Sequence, residues 1–390
     1  MYRLFYAEKD TTLYERYPKQ NTGIDQILEL TKIASGSKLN GIIQTNQYNT
    51  RFLIDFGKEI TTLSSSIVAG DIPKVAAHAA SASVYLSLKA ADASDLLQEY
   101  KIEAFPISES WTNGNGNFAD EPIQKYGASW YYKTSDDVED GWATGSGASI
   151  GTPAVPSSGT VQGTTETLGG GSWITGSGFG VSQSFKNEVP DIRMNVTDIV
   201  ANWLSGSISN YGFIIKRPHS DEQSGEVLGN LKFFGRESHT IFVPRLEVAW
   251  NNVTNVGSSS VSEIDSETYT PYFKNIKSEY RTSEITKFRI GVRPEYPNKT
   301  FRTSSFYLTA ERLPTSSYYS IIDSVTDETL IPFDTTASKV DCDSNGSFMK
   351  LRMDSFMPER YYKIMLKITR ATSSYDDTQT FDDFYFKVVK

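Results

Sequence analysis

The sequence predicts an all-β protein, and three observations support this: the aromatic content, the short strand-like runs and the frequent turn residues. Aromatic residues make up 13% of the 390 residues, and Tyr and Phe supply 22 and 21 of them. Both favour the half-buried pleated surface of a sheet. Runs such as Thr50–Phe56 and Ser83–Lys89 recur between clusters of Gly, Pro, Asn and Ser. That alternation indicates many short strands.

Residues 1–250 read as one jelly-roll-like β-sandwich with a long insertion. Residues 143–180 are rich in Gly, Ser and Thr, a composition that is also typical of a flexible linker. We prefer a surface insertion within one domain, because Trp173, Ile174 and Phe179 punctuate the segment and strands on its far side can complete the sheet. The predicted strands are Thr11–Arg16, Gln26–Ile33, Thr50–Phe56, Ser83–Lys89, Glu103–Ser108, Pro190–Val196, Gly212–Lys216, Leu231–Phe234 and Pro244–Trp250.

One short helix is predicted within this domain, over Thr197–Gly206. Thr197 or Asp198 supplies an N-cap side chain, and Gly206 ends the helix. Trp203 shares an apolar helix face with neighbouring residues, and we expect it to anchor the helix in the core. The residues of that face are Ile199, Val200, Trp203 and Leu204.

A second domain follows a polar, Ser-rich linker at residues 251–263. Residues 264–390 contain strand-like runs about every 8–15 residues, and that spacing is typical of an immunoglobulin-like β-sandwich. The predicted strands are Lys287–Val292, Ser305–Thr309, Tyr319–Ile322, Phe348–Met353, Tyr361–Ile368 and Phe384–Val389.

Charge and cysteine content exclude several classes of protein. The net charge is −9 with acidic and basic residues interspersed, whereas a nucleic-acid-binding surface shows a basic stripe. The single cysteine, Cys342, excludes an internal disulfide scaffold. The N-terminal residues lack the apolar core of a signal peptide. No run of about 18 apolar residues is present, so we expect no membrane insertion.

The sequence offers no convincing catalytic set, and we predict a protein that is not an enzyme and needs no cofactor. His78, His219 and His239 are far apart and lack the spacing of metal ligands. Gly147–Gly151 has the letters of a Gly-x-Ser-x-Gly elbow. That elbow requires a strand before the Ser and a helix after it, and the Gly/Ser/Thr-rich context with Pro153 nearby predicts neither.

One segment, Asp341–Gly346, could form a metal site. Asp341, Asp343 and Asn345 alternate there as ligands do in the first half of a calcium loop. The twelfth position, which needs a bidentate Glu, is Arg352. Strands are predicted on both sides. We therefore prefer a polar hairpin turn and keep a calcium site as the alternative.

Several aromatic residues are candidates for an interface or for stacking on a glycan. Trp142 and Trp173 stand among polar residues of the insertion and its border, which favours an exposed position. Aromatic rings are frequent at the centres of interfaces. Trp111 and Trp130 read instead as core residues. The interface or glycan candidates are Tyr131, Tyr132, Trp142, Trp173 and Phe179.

The segment from about residue 10 to 250 resembles the DNRLRE-type jelly-roll family. The helix Val196–Gly206 with Thr197, Asp198 and Trp203, followed by Asn210–Lys216, is similar to that family's helix and its Asn-Tyr-Gly strand. The matching residues are Thr197, Asp198, Trp203, Gly206, Asn210, Tyr211 and Gly212. The resemblance implies a jelly-roll fold related to carbohydrate-binding modules. The long insertion departs from the pattern, so ligand-binding loops do not transfer.

The paired domains also resemble virion structural proteins of tailed bacteriophages. This resemblance implies a non-enzymatic structural role in a tail, neck, baseplate or capsid surface. The expected partners are other virion proteins and copies of the same chain, and the expected location is the virion after synthesis in the host cytoplasm. The alternative is a carbohydrate-binding adhesin module that recognises glycans on the host surface.

Overall fold

The computed structural model confirms the all-β prediction and describes most of the chain. Most of the strand pairings in the described part of the chain are antiparallel, as in Arg360–Ala371 with Asp376–Val389, whereas Glu279–Arg281 pairs in parallel with Lys387–Val389. The predicted strand Ser305–Thr309 and much of the insertion lie outside the described residues. The structure describes residues 1–39, 42–77, 81–135, 140–142, 150–151, 169–186, 189–255, 260–266, 268–296, 311–371 and 376–390.

The described elements are 23 strands and three α-helices. In chain order the strands are β1 (Tyr2–Tyr6), β2 (Lys9–Tyr14), β3 (Ile27–Leu39), β4 (Ile42–Asp55), β5 (Ser83–Leu88), β6 (Ala90–Ser94), β7 (Glu99–Pro106), β8 (Ile150–Gly151), β9 (Trp173–Ile174), β10 (Val181–Lys186), β11 (Ile192–Asn195), β12 (Phe213–Lys216), β13 (Gly229–Phe234), β14 (Arg245–Ala249), β15 (Tyr269–Phe273), β16 (Glu279–Arg281), β17 (Ile285–Pro294), β18 (Ser317–Asp323), β19 (Thr329–Ile331), β20 (Asp341–Asp343), β21 (Gly346–Arg352), β22 (Arg360–Ala371) and β23 (Asp376–Val389). The helices are α1 (Gly57–Val68), α2 (Thr197–Ser205) and α3 (His219–Gln223).

The chain divides into two compact units. The larger unit contains Phe5–His78 and Ser83–Glu247, so the residues on both sides of the Gly/Ser-rich segment belong to the same unit. The smaller unit contains Met1–Leu4, Ala79–Ala82 and Val248–Lys390. The first four residues therefore belong with the C-terminal part of the chain, which the sequence does not suggest.

An eight-stranded sheet with the order β10-β7-β12-β4-β3-β13-β6, to which β2 adds through β4, dominates the larger unit. In a second sheet of this unit, β5 and β11 pair antiparallel. All four residues of β12 are buried. Because successive side chains of a strand point to opposite faces, the eight-stranded sheet is covered on both faces at this strand.

Helix α2 covers one of these faces and agrees closely with the predicted helix. Trp203 is 6% exposed, and its ring centroid lies 4.7 Å from that of Phe213 in β12. Gly206 ends the helix with φ +75°, the left-handed conformation that favours glycine. The predicted side-chain N-cap is wrong. The N-cap residue is Val196, and the Thr197 hydroxyl instead accepts a hydrogen bond from the Val84 N–H at 2.9 Å.

The prediction of one short helix is also wrong, since α1 and α3 are present as well. Helix α1 begins after Phe56, whose side chain provides no cap, and the Glu8 carboxylate accepts from the Lys58 N–H at 3.0 Å. Its Ser and Thr hydroxyls donate to backbone carbonyls four residues earlier, as Thr61 does to the Gly57 carbonyl at 3.2 Å. Such residues have low helix propensity because they compete for backbone hydrogen bonds. This composition explains why the sequence pattern does not reveal the helix.

The smaller unit contains two sheets. One has the order β15-β17-β21-β20, and the other has the order β16-β23-β22-β18-β19. An aromatic cluster fills its core, where the Tyr280 and Phe386 side chains are each 1% exposed. The Phe288 and Phe386 ring centroids lie 5.8 Å apart. Among the described residues, no helix has the length and apolar character that a membrane span requires.

Candidate functional site

The side chains of Trp142 and Trp173 lie in the core of the larger unit. They are 0% and 5% exposed, and the Trp142 Nε1–H donates to the Ser129 carbonyl at 2.9 Å. The prediction that both lie at an interface or glycan site is therefore wrong. Residues distant in sequence cover the two rings, and polar sequence neighbours do not reveal this. The other members of the cluster are Leu13, Leu53, Ile107, Trp111, Ala128, Trp130 and Ile214.

A buried ion pair organises the edge of this aromatic cluster. The Arg51 Nε and NH2 groups donate to the two Glu222 carboxylate oxygens at 2.9 Å each. The Arg51 guanidinium lies 4.9 Å from the Trp130 ring centroid and 5.3 Å from that of Trp173. The Lys216 Nζ lies 3.4 Å from the Glu222 carboxylate, and burial lowers the pKa of this lysine. We interpret the network as structural, because the three charged side chains are at most 2% exposed.

The remaining aromatic candidates are half-buried and stay predictions. The rings of Tyr131 and Tyr132 meet edge-on with centroids 6.2 Å apart, and the Lys19 ammonium lies 5.7 Å from the Tyr132 ring. Phe179 lies in a separate turn, where its N–H donates to the Gly176 carbonyl at 3.2 Å. The structure therefore brings the two tyrosines together but leaves Phe179 elsewhere.

The segment Asn210–Gly212 holds the chain against the sheet. The Asn210 Oδ1 accepts from the Gly212 N–H at 3.1 Å, and the Tyr211 carbonyl accepts from the Trp111 Nε1–H at 2.8 Å. Gly212 has φ +88°, and a Cβ there would lie 2.1 Å from the Ile54 carbonyl oxygen. Only glycine fits this close approach. These residues therefore have packing roles, and Asp198 contributes its backbone carbonyl to a hydrogen bond from the Asn202 side chain.

The possible calcium loop at Asp341–Gly346 forms a hairpin turn between β20 and β21. The Asp343 carboxylate lies 2.6 Å from the Lys287 Nζ and also pairs with the Arg289 guanidinium. The hydrogen bond from Arg289 lowers the pKa of Asp343. The Asp341 carboxylate accepts from backbone N–H groups, including that of Asn255 at 2.8 Å, and the Asn345 N–H donates to Asp343. In the described part of the chain, no three His, Cys, Asp or Glu side chains converge on a metal position.

A groove of about 290 Å³ lies on one face of the eight-stranded sheet, and we call it the aromatic groove. Its sheet residues alternate along β3 and β13, so their side chains share a face. Phe118 and Tyr17 form its rim with 45% and 39% of their surfaces exposed. The lining residues are Tyr14, Arg16, Tyr17, Glu29, Thr31, Ile33, Tyr48, Asn49, Thr50, Phe118, Asn230 and Lys232.

The rim and floor of the aromatic groove differ in chemistry. The Phe118 ring centroid lies 4.9 Å from that of Tyr14 and 5.6 Å from that of Tyr17. On the floor, the Thr50 hydroxyl accepts from the Thr31 N–H at 2.6 Å. The Asn230 Oδ1 is shielded from solvent and has no hydrogen-bond donor among the described residues. The groove thus combines flat apolar rings with hydroxyl and amide groups.

The loop that carries Phe118 is fixed by a clamp of polar side chains. The fully buried Asn21 side chain donates to the Asn113 and Ala128 carbonyls and accepts from the Gly116 N–H, at 2.8, 2.8 and 2.9 Å. The Phe118 N–H donates to the Asp25 carboxylate at 3.1 Å. Burial raises the pKa of Asp25 to about 6, although this hydrogen bond lowers it. The ring of Phe118 is therefore held in place before any ligand arrives.

Sequence reasoning missed this groove because its residues come from distant segments. Tyr17 follows the predicted strand Thr11–Arg16 directly, and Phe118 follows a Gly- and Asn-rich stretch. The sequence feature that could have indicated the groove is an aromatic residue within each of two polar turns. Strand register and the Asn21 clamp together bring them beside β3, β4 and β13.

A long β-hairpin is the second candidate site. Strand β13 pairs with β3 only over Ile27–Lys32, and β2 pairs with β4 only over Thr50–Asp55. Beyond these ranges, Ile33–Leu39 and Ile42–Tyr48 pair with each other through seven register positions and with no other described strand. We call these two segments the hairpin arm. Seven residues of strand span roughly 20 Å.

Comparisons with known proteins leave the chain without an assigned family. No family model matches it, and no curated protein does. A solved structure of a DUF4785 family protein from Legionella pneumophila subsp. pneumophila str. Philadelphia 1 is similar at 7% sequence identity with a TM-score of 0.21. That match covers 100% of this chain and 62% of the other protein, so the chain spans less than two thirds of its length. The resemblance to the DNRLRE-type family stays a prediction.

Proposed function

We propose that this chain is a non-enzymatic structural protein of a tailed bacteriophage particle, in a tail, neck, baseplate or capsid-surface position. The proposal rests on the resemblances in the sequence and on one structural observation, the hairpin arm. Its partners are neighbouring virion proteins or further copies of the chain. The resemblance of residues 10–250 to the DNRLRE-type family and of the paired domains to virion structural proteins favours a phage particle over other assemblies.

The hairpin arm supports an assembly role because its backbone edges are open. Unpaired N–H and C=O groups along a strand edge are a template for a strand of another chain. An isolated two-stranded hairpin is marginally stable in water, so a neighbouring strand would stabilise the arm. Each added strand would bring main-chain hydrogen bonds without requiring a large flat interface.

The composition of the arm supports the same conclusion. Monomeric proteins protect open edges with charged residues, proline or bulges. The two arm segments contain one charged residue, Lys38, and no proline. Their register runs without a bulge from Ile33 opposite Tyr48 to Leu39 opposite Ile42. An unprotected edge of this length is expected where a partner strand binds.

The arm can be tested by shortening it. Replacing residues 34–47 with Asn-Gly joins Ile33 to Tyr48 through a two-residue turn that suits a hairpin. We expect the shortened chain to fold, because the sheet pairings of Ile27–Lys32 and Thr50–Asp55 remain. Mass spectrometry of purified particles should find the unaltered chain in fixed stoichiometry and the shortened chain absent or strongly depleted.

Charge variants provide a matched control for this test. Thr45→Lys with Gln47→Lys adds two positive charges to the arm and should reduce incorporation into particles, because lysine protects strand edges. Val68→Lys with Val325→Lys adds the same charge at positions that are 87% and 79% exposed outside the arm, and incorporation should be unchanged. Absence of the unaltered chain from particles, or equal incorporation of all variants, would contradict the proposal.

The alternative predicted from the sequence, recognition of host glycans, loses two of its candidate residues. Trp142 and Trp173 are buried, so they cannot stack on a sugar. The aromatic groove is a different position with the required chemistry, and a virion protein with such a groove would contact its host through it.

A further inference from the structure

We propose that the aromatic groove is a saccharide-binding site that accepts one pyranose ring of a glycan chain. None of its residues belongs to the aromatic set that the sequence suggested for glycan contact. Its volume of about 290 Å³ lies just below the usual range for small-molecule sites, about 300–1,000 Å³. A single sugar ring with its neighbours outside the groove suits that size.

The rim has the chemistry that recognises the apolar face of a sugar. A pyranose presents axial C–H groups on its flat face, and these carry a small positive charge that the negative face of an aromatic ring attracts. Phe118 and Tyr17 expose 45% and 39% of their surfaces, whereas Tyr14 behind them is 6% exposed. Tyr14 therefore completes the core, and the two rim rings present their surfaces to the outside.

The floor has the chemistry that recognises the hydroxyl edge of a sugar. Sugar hydroxyls donate and accept hydrogen bonds, so they pair with amide and hydroxyl side chains. The half-buried Asn230 amide and the Thr31 and Thr50 hydroxyls supply the polar groups of the floor. A polyhydroxylated ligand can pair with such groups, whereas a purely apolar side chain cannot, so the floor favours a sugar.

The charges around the groove do not oppose a sugar. Glu29 is compensated by Lys232, whose Nζ lies 3.5 Å from the carboxylate. The Arg16 guanidinium lies 5.4 Å from the Tyr17 ring centroid and is exposed at the rim. The groove therefore accepts a neutral sugar and also tolerates one that carries a carboxylate.

The site is also fixed in advance of binding. Gln20 donates from Nε2 to the Phe118 carbonyl at 2.8 Å, and Asp25 accepts from the Phe118 N–H. Phe118 is thus held from both sides of its peptide backbone. A ring that is already ordered loses little entropy when a ligand binds, which raises affinity for a small ligand.

The full-length chain should first be applied to an array of hexose, N-acetylhexosamine and hexuronate oligosaccharides. We expect at least one class to be retained, and isothermal titration with that oligosaccharide should give a dissociation constant in the micromolar to millimolar range. Phe118→Leu keeps an apolar contact with Tyr14 but removes the flat ring, and Tyr17→Ala removes the second rim ring. Each should weaken binding roughly tenfold or more.

Tyr126→Ala is the matched control, because Tyr126 is 59% exposed and does not line the groove. It should leave binding unchanged, and circular dichroism should show that all variants fold. The arm-shortened chain keeps Ile33 and Tyr48 in the groove and should still bind, which separates this proposal from the assembly role. Failure to retain any oligosaccharide, or equal binding by the rim variants and the unaltered chain, would overturn the saccharide site.

Discussion

Asp10 is a buried acid in strand β2. Asp10 is 1% exposed, and its Oδ2 accepts a hydrogen bond from the Arg236 N–H at 2.6 Å. Burial raises the pKa of Asp10 to about 7 in the folded chain, although the hydrogen bond from Arg236 lowers it. In the unfolded chain the pKa returns to about 3.9. Between these values the folded chain binds more protons than the unfolded chain.

The stability contribution of Asp10 is therefore fully present below about pH 4 and is lost as the pH rises through about 7. Asp10→Asn keeps an oxygen to accept the Arg236 N–H and removes the cost of ionisation. Relative to the unaltered chain, we expect this variant to gain roughly 2–4 kcal/mol in the free energy of unfolding at pH 8 and little at pH 4. Urea unfolding at the two pH values measures the difference.

Asp343 serves as a control with the opposite pH dependence, because the hydrogen bond from Arg289 lowers the pKa of Asp343. Its contribution is present above the unfolded pKa and is lost as the pH falls through the lower folded value. Asp343→Asn should therefore destabilise the chain more at neutral pH than at low pH. A pH-independent effect of Asp10→Asn would show that Asp10 is not held protonated.

At the scale of elements, α3 is a short helix that the buried Glu222 side chain and Lys32 of β3 fasten to the sheet, the Lys32 Nζ donating to the Asp221 carbonyl at 2.6 Å. Glu222 bonds Arg51 of β4 with two hydrogen bonds and lies 3.4 Å from Lys216 of β12. Arg51 also donates to the Gly170 carbonyl at 2.7 Å. The Glu222 carboxylate therefore links the helix to two strands, and its partner Arg51 also holds Gly170 of the Gly/Ser-rich insertion.

Glu222→Ala should cost about 3–5 kcal/mol in the free energy of unfolding, because it leaves two buried cations without their carboxylate. The matched control is Glu99→Ala, which breaks the pair with Lys186, where both side chains are more than half exposed. That change should cost about 1 kcal/mol or less. Chemical denaturation measures both values, and similar costs would contradict the structural role of the buried network.

The sequence predicts elements well where the local pattern decides them. Helix α2 has an apolar face and a terminal glycine, and both survive in the fold. Helix α1 follows a strand directly and is rich in Ser and Thr, so the local pattern contains little helical signal. Its apolar residues, such as Leu63, are buried by tertiary packing, and tertiary packing outweighs propensity.

The sites were harder to predict than the strands, because burial depends on residues far away in sequence. Trp142 and Trp173 have polar neighbours along the chain, yet Arg51 and Trp130 pack around Trp173. The aromatic groove also depends on contacts between residues that are distant in sequence, but these contacts leave its aromatic rim rings exposed. Its rim residues lie 101 positions apart, at 17 and 118, and meet through strand register and the Asn21 clamp. No local window of sequence contains that information.

At the scale of the whole molecule, the first residues of the chain belong to the smaller unit with Val248–Lys390. Tyr2 and Leu4 are each 2% exposed. The Arg3 guanidinium lies 2.9 Å from the Asp354 carboxylate, and the Leu4 N–H donates to the Ser355 hydroxyl at 3.2 Å. The smaller unit is therefore completed by a segment from the opposite end of the sequence.

Deletion of residues 1–4 should lower the stability of the smaller unit in the full chain by about 3–6 kcal/mol, because two buried apolar side chains are lost. Calorimetry of the full chain and of the fragment 248–390 identifies the unfolding transition of this unit. That transition should move to lower temperature in the chain that lacks residues 1–4 and in the fragment. Ser355→Ala removes the hydrogen bond that the Ser355 hydroxyl accepts from the Leu4 N–H and should cost about 1 kcal/mol. If the fragment 248–390 melts at the same temperature as in the full chain, the N-terminal segment does not stabilise this unit. Such an outcome would return the boundary to the position that composition alone suggests, since the C-terminal β-sandwich would then be complete without Met1–Leu4.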